Sequence, residues 1–436
     1  MTSASAGRFQ PRAGRFWRVA AASGLGLAVL AGAACRKQAE SDGRTVIRFL
    51  ANPDVGGFSK KIIAAFESAN PDMRVEMVEG PAATNIREDM YSASFMAGED
   101  TYDLVYMDVV WLPKFAAQGW LRPLDDFFTK ESQARFLPGD IRGSYYEGRI
   151  YRVPTQSDGG VLYYRKDLLE KNGLKPPQTW DELVAIAKRL QSPPAIHGLV
   201  FQGKQYEGLV CVFLELAWGN GGDVIDEQGN VLVDRPESVE ALERLAAAVR
   251  RDKISPESVL TYQEEEARHS FQEGHAVFMR NWPYAYNLMQ AEGSPVRGKF
   301  GIIPMVRGRG KSSAATLGGW GYGVSAFSKN PRAAWRFLEF AASVESQKTA
   351  FFGGGILPTL KSLFSDPELL KAAPHLKELG SVLENARPRP VHPSYARISD
   401  ALQVAVSAAL SGQKSSKDAL GQAAKDIREV VAAKRP

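Results

Sequence analysis

The stretch "TVIRFLANPDVGGFSKKIIAAFESANPDMRVEMVEG", residues 45–80, decides the fold. "TVIRFL" (45–50) is a short apolar run closed by a loop, which reads as a buried strand. "FSKKIIAAFESANP" places Ile62, Ile63 and Phe66 on one helical face and stops at Asn70-Pro71. "MRVEMVEG" alternates apolar and polar residues and reads as a second strand. The unit then repeats. A helix is expected across 85–97, "YDLVYMD" (102–108) is another buried strand, and "VWLPKFAAQGW" begins the next helix. Successive β-α-β units predict an α/β fold with mainly parallel sheets flanked by helices.

Beyond residue 144 the pattern changes. "YYEGRIYRVPTQSDGGVLYYRKDLL" (145–169) reads as a short hairpin, a crossing segment and a strand. "PQTWDELVAIAKRL" is a helix whose Thr179 caps and whose Glu182 closes a capping box. Helical patterns cover 206–219, 236–251 and 262–273. "HAVFMRN" (275–281), "GKFGIIPM" and "GYGVSAFSK" read as strands, and "PRAAWRFLEFAAS", "ESQKTAFF" and most of the last 70 residues as helices. With no internal repeat and no low-complexity linker after residue 44, the pattern fits two lobes connected more than once.

A chain of 436 residues with 44% hydrophobic residues is long enough for two lobes and has a globular composition. Of its 54 Lys and Arg, four (Arg8, Arg12, Arg15, Arg18) lie in residues 1–34, which carry no acid; the rest nearly balance 49 Asp and Glu. The basic excess therefore belongs to a leader and argues against nucleic acid as a partner. The leader has a secretory pattern: arginines, then "VAAASGLGLAVL", then small residues. It ends "LAGAACRKQ", so small residues directly precede Cys35. Two readings stay open. In one, Cys35 is lipidated and becomes the mature N-terminus, with 35–44 as a polar tether. In the other, the leader is cut plainly near Ala34. Gly32 departs from the leucine usual three places before a lipidated cysteine. Cys211 lies in an apolar helical pattern and is expected to be a buried, inert thiol.

Enzyme signatures are weak. His197, His269, His275, His375 and His392 are scattered and form no metal-binding pair. "RGRGKSS" (307–313) lacks the first glycine of a phosphate loop, since Met305 stands there. Asp125 and Asp126 in "LDDFF" are adjacent, an arrangement typical of caps rather than of a carboxylate pair set across a sugar. No catalytic residue, metal or cofactor is expected.

Several blocks carry a resemblance. "VLYYRKDLLEKNGLKPPQTWDEL" (161–183), "FQEGHAVFMRNWPYAY" (271–286) and "GGWGYGVSAFSKNPRAAWRFLEFAASVESQ" (318–347) resemble the solute-binding proteins of bacterial and archaeal carbohydrate ABC transporters. "IIAAFESANPDMRVEMVEG" and "KFAAQGWLRPLDDF" resemble them too, in the same order. "YMDVVW", "RNWPYAY", "LGGWGYGVS" and "PRPVHPSY" are most similar to the trehalose/maltose-binding branch. The resemblance implies a two-lobed, hinged fold that closes on a sugar and hands it to a membrane permease. It implies lobe 1 from 45–154 plus about 299–350 and lobe 2 from 155–298 plus about 351–436. The implied protein is a monomer at the periplasm or the outer face of the cytoplasmic membrane. Its ligand is an α-linked disaccharide such as trehalose or maltose. Sucrose, glycerol-phosphate or a glycan-active hydrolase are the alternatives.

A sugar presents C–H faces to aromatic plates and hydroxyls to charged or amide groups. Trp282 and Trp320 are the expected plates, with Tyr284 beside them; Tyr286, after Pro283, is expected to face the core. Gly319 and Gly321 let the backbone of "LGGWGYG" approach a ligand. Asp108 ends a buried strand, where an unpaired carboxylate is costly, and is expected to cap the next helix and meet the ligand; Asp158 and Arg389 match polar positions of the branch, and Gln156 stands where relatives often carry an aromatic. Trp111 shapes the rim or packs, with Thr84, Arg87 and Asn52 as further contributors. Trp180 and Trp335 sit at core spacing.

Overall fold

The β-α-β opening forms as its pattern requires. In the computed structural model, which describes residues 43–54, 56–226, 228–384 and 386–433, the strands begin with β1 (Thr45–Ala51), β2 (Met73–Glu79), β3 (Leu104–Asp108), β4 (Leu121–Arg122), β5 (Tyr145–Tyr146) and β6 (Arg149–Ile150). They continue with β7 (Val153–Gly159), β8 (Val161–Arg165), β9 (His197–Val200), β10 (Ala276–Asn281), β11 (Phe300–Pro304), β12 (Ala315–Ser325) and β13 (Ala386–Arg387). β1 and β2 pair in parallel, with Ile47 opposite Val75. The helix between them, Phe58–Ala69, ends where the Asn70 side chain donates to the Phe66 carbonyl at 2.8 Å, and it buries Phe66 edge-on against Phe337. Residues 1–42, on which the expected leader and Cys35 fall, lie outside the described residues. From Arg44 onward the chain packs as one unit.

Two sheets organise two lobes. In the first, β12 runs antiparallel to β3, β4 and β7 and parallel to β13. In the second, the order is β11-β8-β10-β9, with β8 antiparallel to both neighbours. Among the described residues the parallel strand pairs are β1–β2, β9–β10 and β12–β13, so the expectation of mainly parallel sheets is corrected to mixed sheets. The reason lies in the crossovers. Parallel neighbours need a helix carried over the sheet, whereas β12 enters the first sheet directly from β11 in the second. β7 and β8 are joined by Gly160 alone, yet belong to different sheets. A Cβ at Gly160 would overlap the Glu215 carboxylate, so only glycine passes there.

β12 starts at Ala315 rather than at Gly321, where sequence pattern places a strand. Its glycines make room for β7: a Cβ at Gly319 would lie 2.5 Å from the Gln156 carbonyl oxygen, and one at Gly321 would overlap the Val153 carbonyl. Gly319 also has φ +119°, a conformation that suits glycine. The expected close approach is therefore strand against strand.

The helices Glu207–Gly219, Pro236–Arg250, Tyr395–Leu410 and Ser416–Ala432 form the second lobe's main core, with Phe213, Leu245, Leu402 and Leu420 packed near Leu162 and Phe278 of the sheet. Helices Val344–Gly354 and Leu376–Glu384 pack instead on the first lobe, against Phe58–Ala69 and against β7 and β12. Packing against Phe58–Ala69, β7 and β12 thus continues to residue 384. Cys211 is buried, and burial pushes its thiol pKa up.

Candidate functional site

β10 delivers its last residues to the junction of the lobes. The Arg280 guanidinium, 1% exposed, donates from Nε and Nη2 to the two Glu215 oxygens at 2.8 and 2.5 Å and from Nη1 to Gln202 at 3.0 Å. Its central carbon lies 4.1 Å from the centre of the Trp282 ring, a cation–π contact. Asn281 accepts from the Trp282 backbone N–H at 2.8 Å and donates to the Glu264 carbonyl at 3.0 Å. The Trp282 indole N–H donates to Glu264 Oε1 at 3.4 Å, and Tyr163 donates to the Trp282 carbonyl at 2.9 Å. Face, edge and backbone of this residue are all held. The Tyr284 hydroxyl donates to Glu265 at 2.5 Å. Tyr286 packs edge-on to Phe300 and 3.5 Å from the His375 ring centre.

Trp320 stands on β12 opposite both Asp108 of β3 and Gln156 of β7. It is half-buried, stacks on Tyr106 at 5.1 Å, meets Trp111 edge-on at 5.4 Å and carries the Arg87 guanidinium at 4.8 Å. Trp111, 2% exposed, belongs to the core beneath. Arg87 is buried; it donates to the carbonyls of Pro81 and, at 2.8 Å, Ala82. Thr84 opens the same helix, and Asn52 directly follows β1.

Polar groups connect the two tryptophans. Gln156 donates to Asp158 Oδ2 at 2.6 Å and accepts from the Tyr106 hydroxyl at 3.4 Å. The spot where Gly318 lacks a Cβ lies 2.9 Å from the Asp158 Cβ and 3.2 Å from the Trp282 ring. Asp158, Gly318 and Trp282 thus converge, as do Trp320, Gln156 and Asp108. Burial raises the Asp158 carboxyl to about 7, against the lowering hydrogen bond from Gln156. Asp108 both caps, accepting from the Val110 N–H at 3.2 Å, and accepts from Arg389 Nη2 at 2.7 Å. Arg389 Nη1 donates to Glu207 at 2.8 Å. Beside Gln156 a cavity of about 30 Å³, bounded by Tyr106, Thr155, Phe58 and Ile356, has room for one or two waters. Among the described residues no group of three or more His, Cys, Asp or Glu could hold a metal ion.

Trp282, Trp320, Asp108, Asp158, Gln156, Arg389, Gly319 and Gly321 are thus assembled around one junction. Trp111 is packed behind it, Tyr284 flanks it through Glu265, and Tyr286 turns away. Sequence reading passes over Tyr106, Glu207, Glu215 and Glu264. Glu207 and Glu264 each open a helix, where an acid is ordinary. Glu215 sits in an otherwise apolar helical run, "GLVCVFLELAW", and that isolation was the available signal.

The profile of the bacterial extracellular solute-binding protein family matches residues 51–348. A probable ABC transporter-binding protein of Deinococcus radiodurans is 37% identical over 368 residues, covering 82% of this chain and 86% of its own. The structure of maltose-bound MalE3 of T. maritima superposes with a TM-score of 0.85 at 42% identity, over 88% of this chain and 100% of that one. A solute-binding protein of Agrobacterium radiobacter K84 in complex with ribitol superposes at 0.79 with 26% identity, over 88% of this chain and 98% of that one.

Proposed function

Because the chain belongs to the bacterial extracellular solute-binding protein family, we propose that it captures an α-linked disaccharide of the maltose or trehalose type between its lobes and delivers it to the permease of an ABC importer. The observation that carries this reading is the pair of half-buried tryptophans, Trp282 and Trp320, with polar groups beside them: Asp158 near Trp282 and bonded to Gln156, and Gln156 and Asp108 each opposite Trp320. Flat rings suit the C–H faces of two sugar units, and the polar groups suit their hydroxyls. Hydrogen bonds from neutral hydroxyls to charged groups contribute roughly 1.5–3 kcal/mol each. The similarity to a maltose-bound structure supports a disaccharide over a polyol.

The protein works by binding, without catalysis. A glycosidase sets two carboxylates across the scissile bond, and here Asp108 is already engaged by Arg389 and by its own cap. The protein acts as a monomer, outside the cytoplasmic membrane, anchored through a lipid on Cys35. Mass spectrometry of the mature N-terminus tests the anchor.

Calorimetric titration with maltose, trehalose, sucrose, glucose and ribitol tests the ligand. The expected result is one site per chain, tightest for maltose or trehalose. Preference for ribitol or glucose would replace the disaccharide, and release of glucose from a disaccharide beyond one equivalent would replace binding by hydrolysis.

A further inference from the structure

Arg389 lies on the last crossover between the lobes, after β13 and before the helix Tyr395–Leu410. It is 4% exposed, and each of its two terminal nitrogens is committed to a different lobe: Nη2 to Asp108 at 2.7 Å and Nη1 to Glu207 at 2.8 Å. Asp108 is fixed within the first lobe by the Val110 N–H at 3.2 Å. Glu207 is fixed within the second, because it also accepts from the Tyr395 hydroxyl at 2.6 Å and from the Ser399 hydroxyl. One guanidinium thus fastens a carboxylate of each lobe.

We propose that Glu207 is a positioning residue: through Arg389 it holds the second lobe to Asp108 of the first and so sets how far the lobes stand apart before any ligand arrives. The proposal rests on the hinged binding reading above. Parting the lobes stretches one of these two charge-assisted bonds, among the stronger contacts a protein makes. Both carboxylates keep other donors when the guanidinium leaves: Asp108 its backbone cap, Glu207 its two hydroxyls. The bridge can therefore open without stranding either acid, which distinguishes it from the fully enclosed Arg280–Glu215 pair. A bond of this kind biases the open–closed balance, and apparent affinity scales with the fraction of protein in the binding-competent form. Sequence alone hides the arrangement, since Glu207 and Arg389 are 182 residues apart.

The test is Glu207→Gln in the full chain, read first without ligand by small-angle X-ray scattering. Glutamine keeps the size and an acceptor for the hydroxyls but loses the charge facing Arg389. The expected result is a larger radius of gyration with an unchanged circular dichroism spectrum. A second variant, Tyr395→Phe with Ser399→Ala, removes the two hydroxyls that fix the Glu207 carboxylate while leaving its charge, and should loosen the bridge and expand the unliganded protein as well. Wild-type scattering from both variants would overturn the proposal, whatever their thermal stability. Maltose titration then separates the two readings. Wild-type binding with affinity reduced about tenfold in Glu207→Gln supports both, following the fraction of closed protein. Equal affinity with unchanged scattering removes only the role of Glu207. No maltose binding by wild-type protein removes the disaccharide assignment, while the scattering result still decides the role of Glu207.

Discussion

The guanidinium of Arg280 lies over the ring of Trp282, 4.1 Å from its centre, while its other contacts tie it to Glu215. The aromatic plate is therefore levelled by an ion pair that is itself out of water: the side chains are 1% and 0% exposed. Breaking such a pair strands a charge and costs about 3–5 kcal/mol, whereas replacing both partners with apolar groups is often nearly neutral. Arg280→Met should lose stability on that scale in urea denaturation, and Arg280→Met with Glu215→Met should recover much of it. A double variant as unstable as the single one would show that the loss comes from packing.

The two tryptophans should respond differently to truncation. Trp320 packs on Tyr106 and Trp111 and so doubles as a core residue. Trp320→Ala should therefore cost about 3 kcal/mol of stability in addition to maltose binding. Trp282→Ala, which removes a ring held mainly by Arg280 and Glu264, should abolish binding at a smaller loss of stability. Calorimetry and thermal melts on both variants check this; equal affinity after Trp282→Ala would return that ring to a structural role.

Stability should fall as pH rises from mild acid. Burial holds the carboxyls of Asp158 and Asp140 up at about 7, against 3.8 in the unfolded chain. Asp158 faces Gln156, Asp140, Arg280 and Asp108, and Asp140 faces Arg152 and Ser157. Between these pKa values the folded state binds the proton and the unfolded state releases it. The contribution is thus full below the unfolded value and lost as pH climbs through the folded one, at about 1.4 kcal/mol per unit. Asp158→Asn should flatten the decline in urea denaturation between about pH 4.5 and 7.5. An identical slope in the variant would remove Asp158 as its source.

Gly319→Ala probes the crossing of β12 over β7. The added methyl carbon would sit 2.5 Å from the Gln156 carbonyl, on a backbone at φ +119°. Strain of this kind costs on the order of 1–3 kcal/mol, and a shift of Gln156 would also disturb its bond to Asp158. The thermal midpoint should drop and maltose affinity should fall with it. A variant with wild-type stability would mean that the strands separate freely here.

Local signals were readable in the chain. The capping box at Thr179 and Glu182 forms, the helix expected at 236–251 spans Pro236–Arg250, and Tyr286 packs toward Phe300 as Pro283 suggested. Strand direction was not readable, because β12 owes its antiparallel partners to a crossover rather than to its own residues. The strand was read from Gly321 onward and not back to Ala315, since the glycines before it report the nearness of another backbone without saying whose. Within the site, aromatic residues were legible because so much ring surface beside Pro283 suits neither core nor solvent. The acids that brace them were not: Glu207 and Glu264 look like ordinary helix openers until the fold brings Arg389 and Trp282 to them.

β12 finds its partners far away in the chain: Trp320 pairs with Asp108 and Val324 with Arg122. The first lobe's sheet thus lacks its central strand until residues 315–325 exist, although β3, its first strand in chain order, begins at Leu104. Pairings of such sequence separation slow folding, because a long loop must close before any contact compensates. The order of synthesis therefore works as a delay: β3, β4 and β7 are made long before the strand with which all three pair.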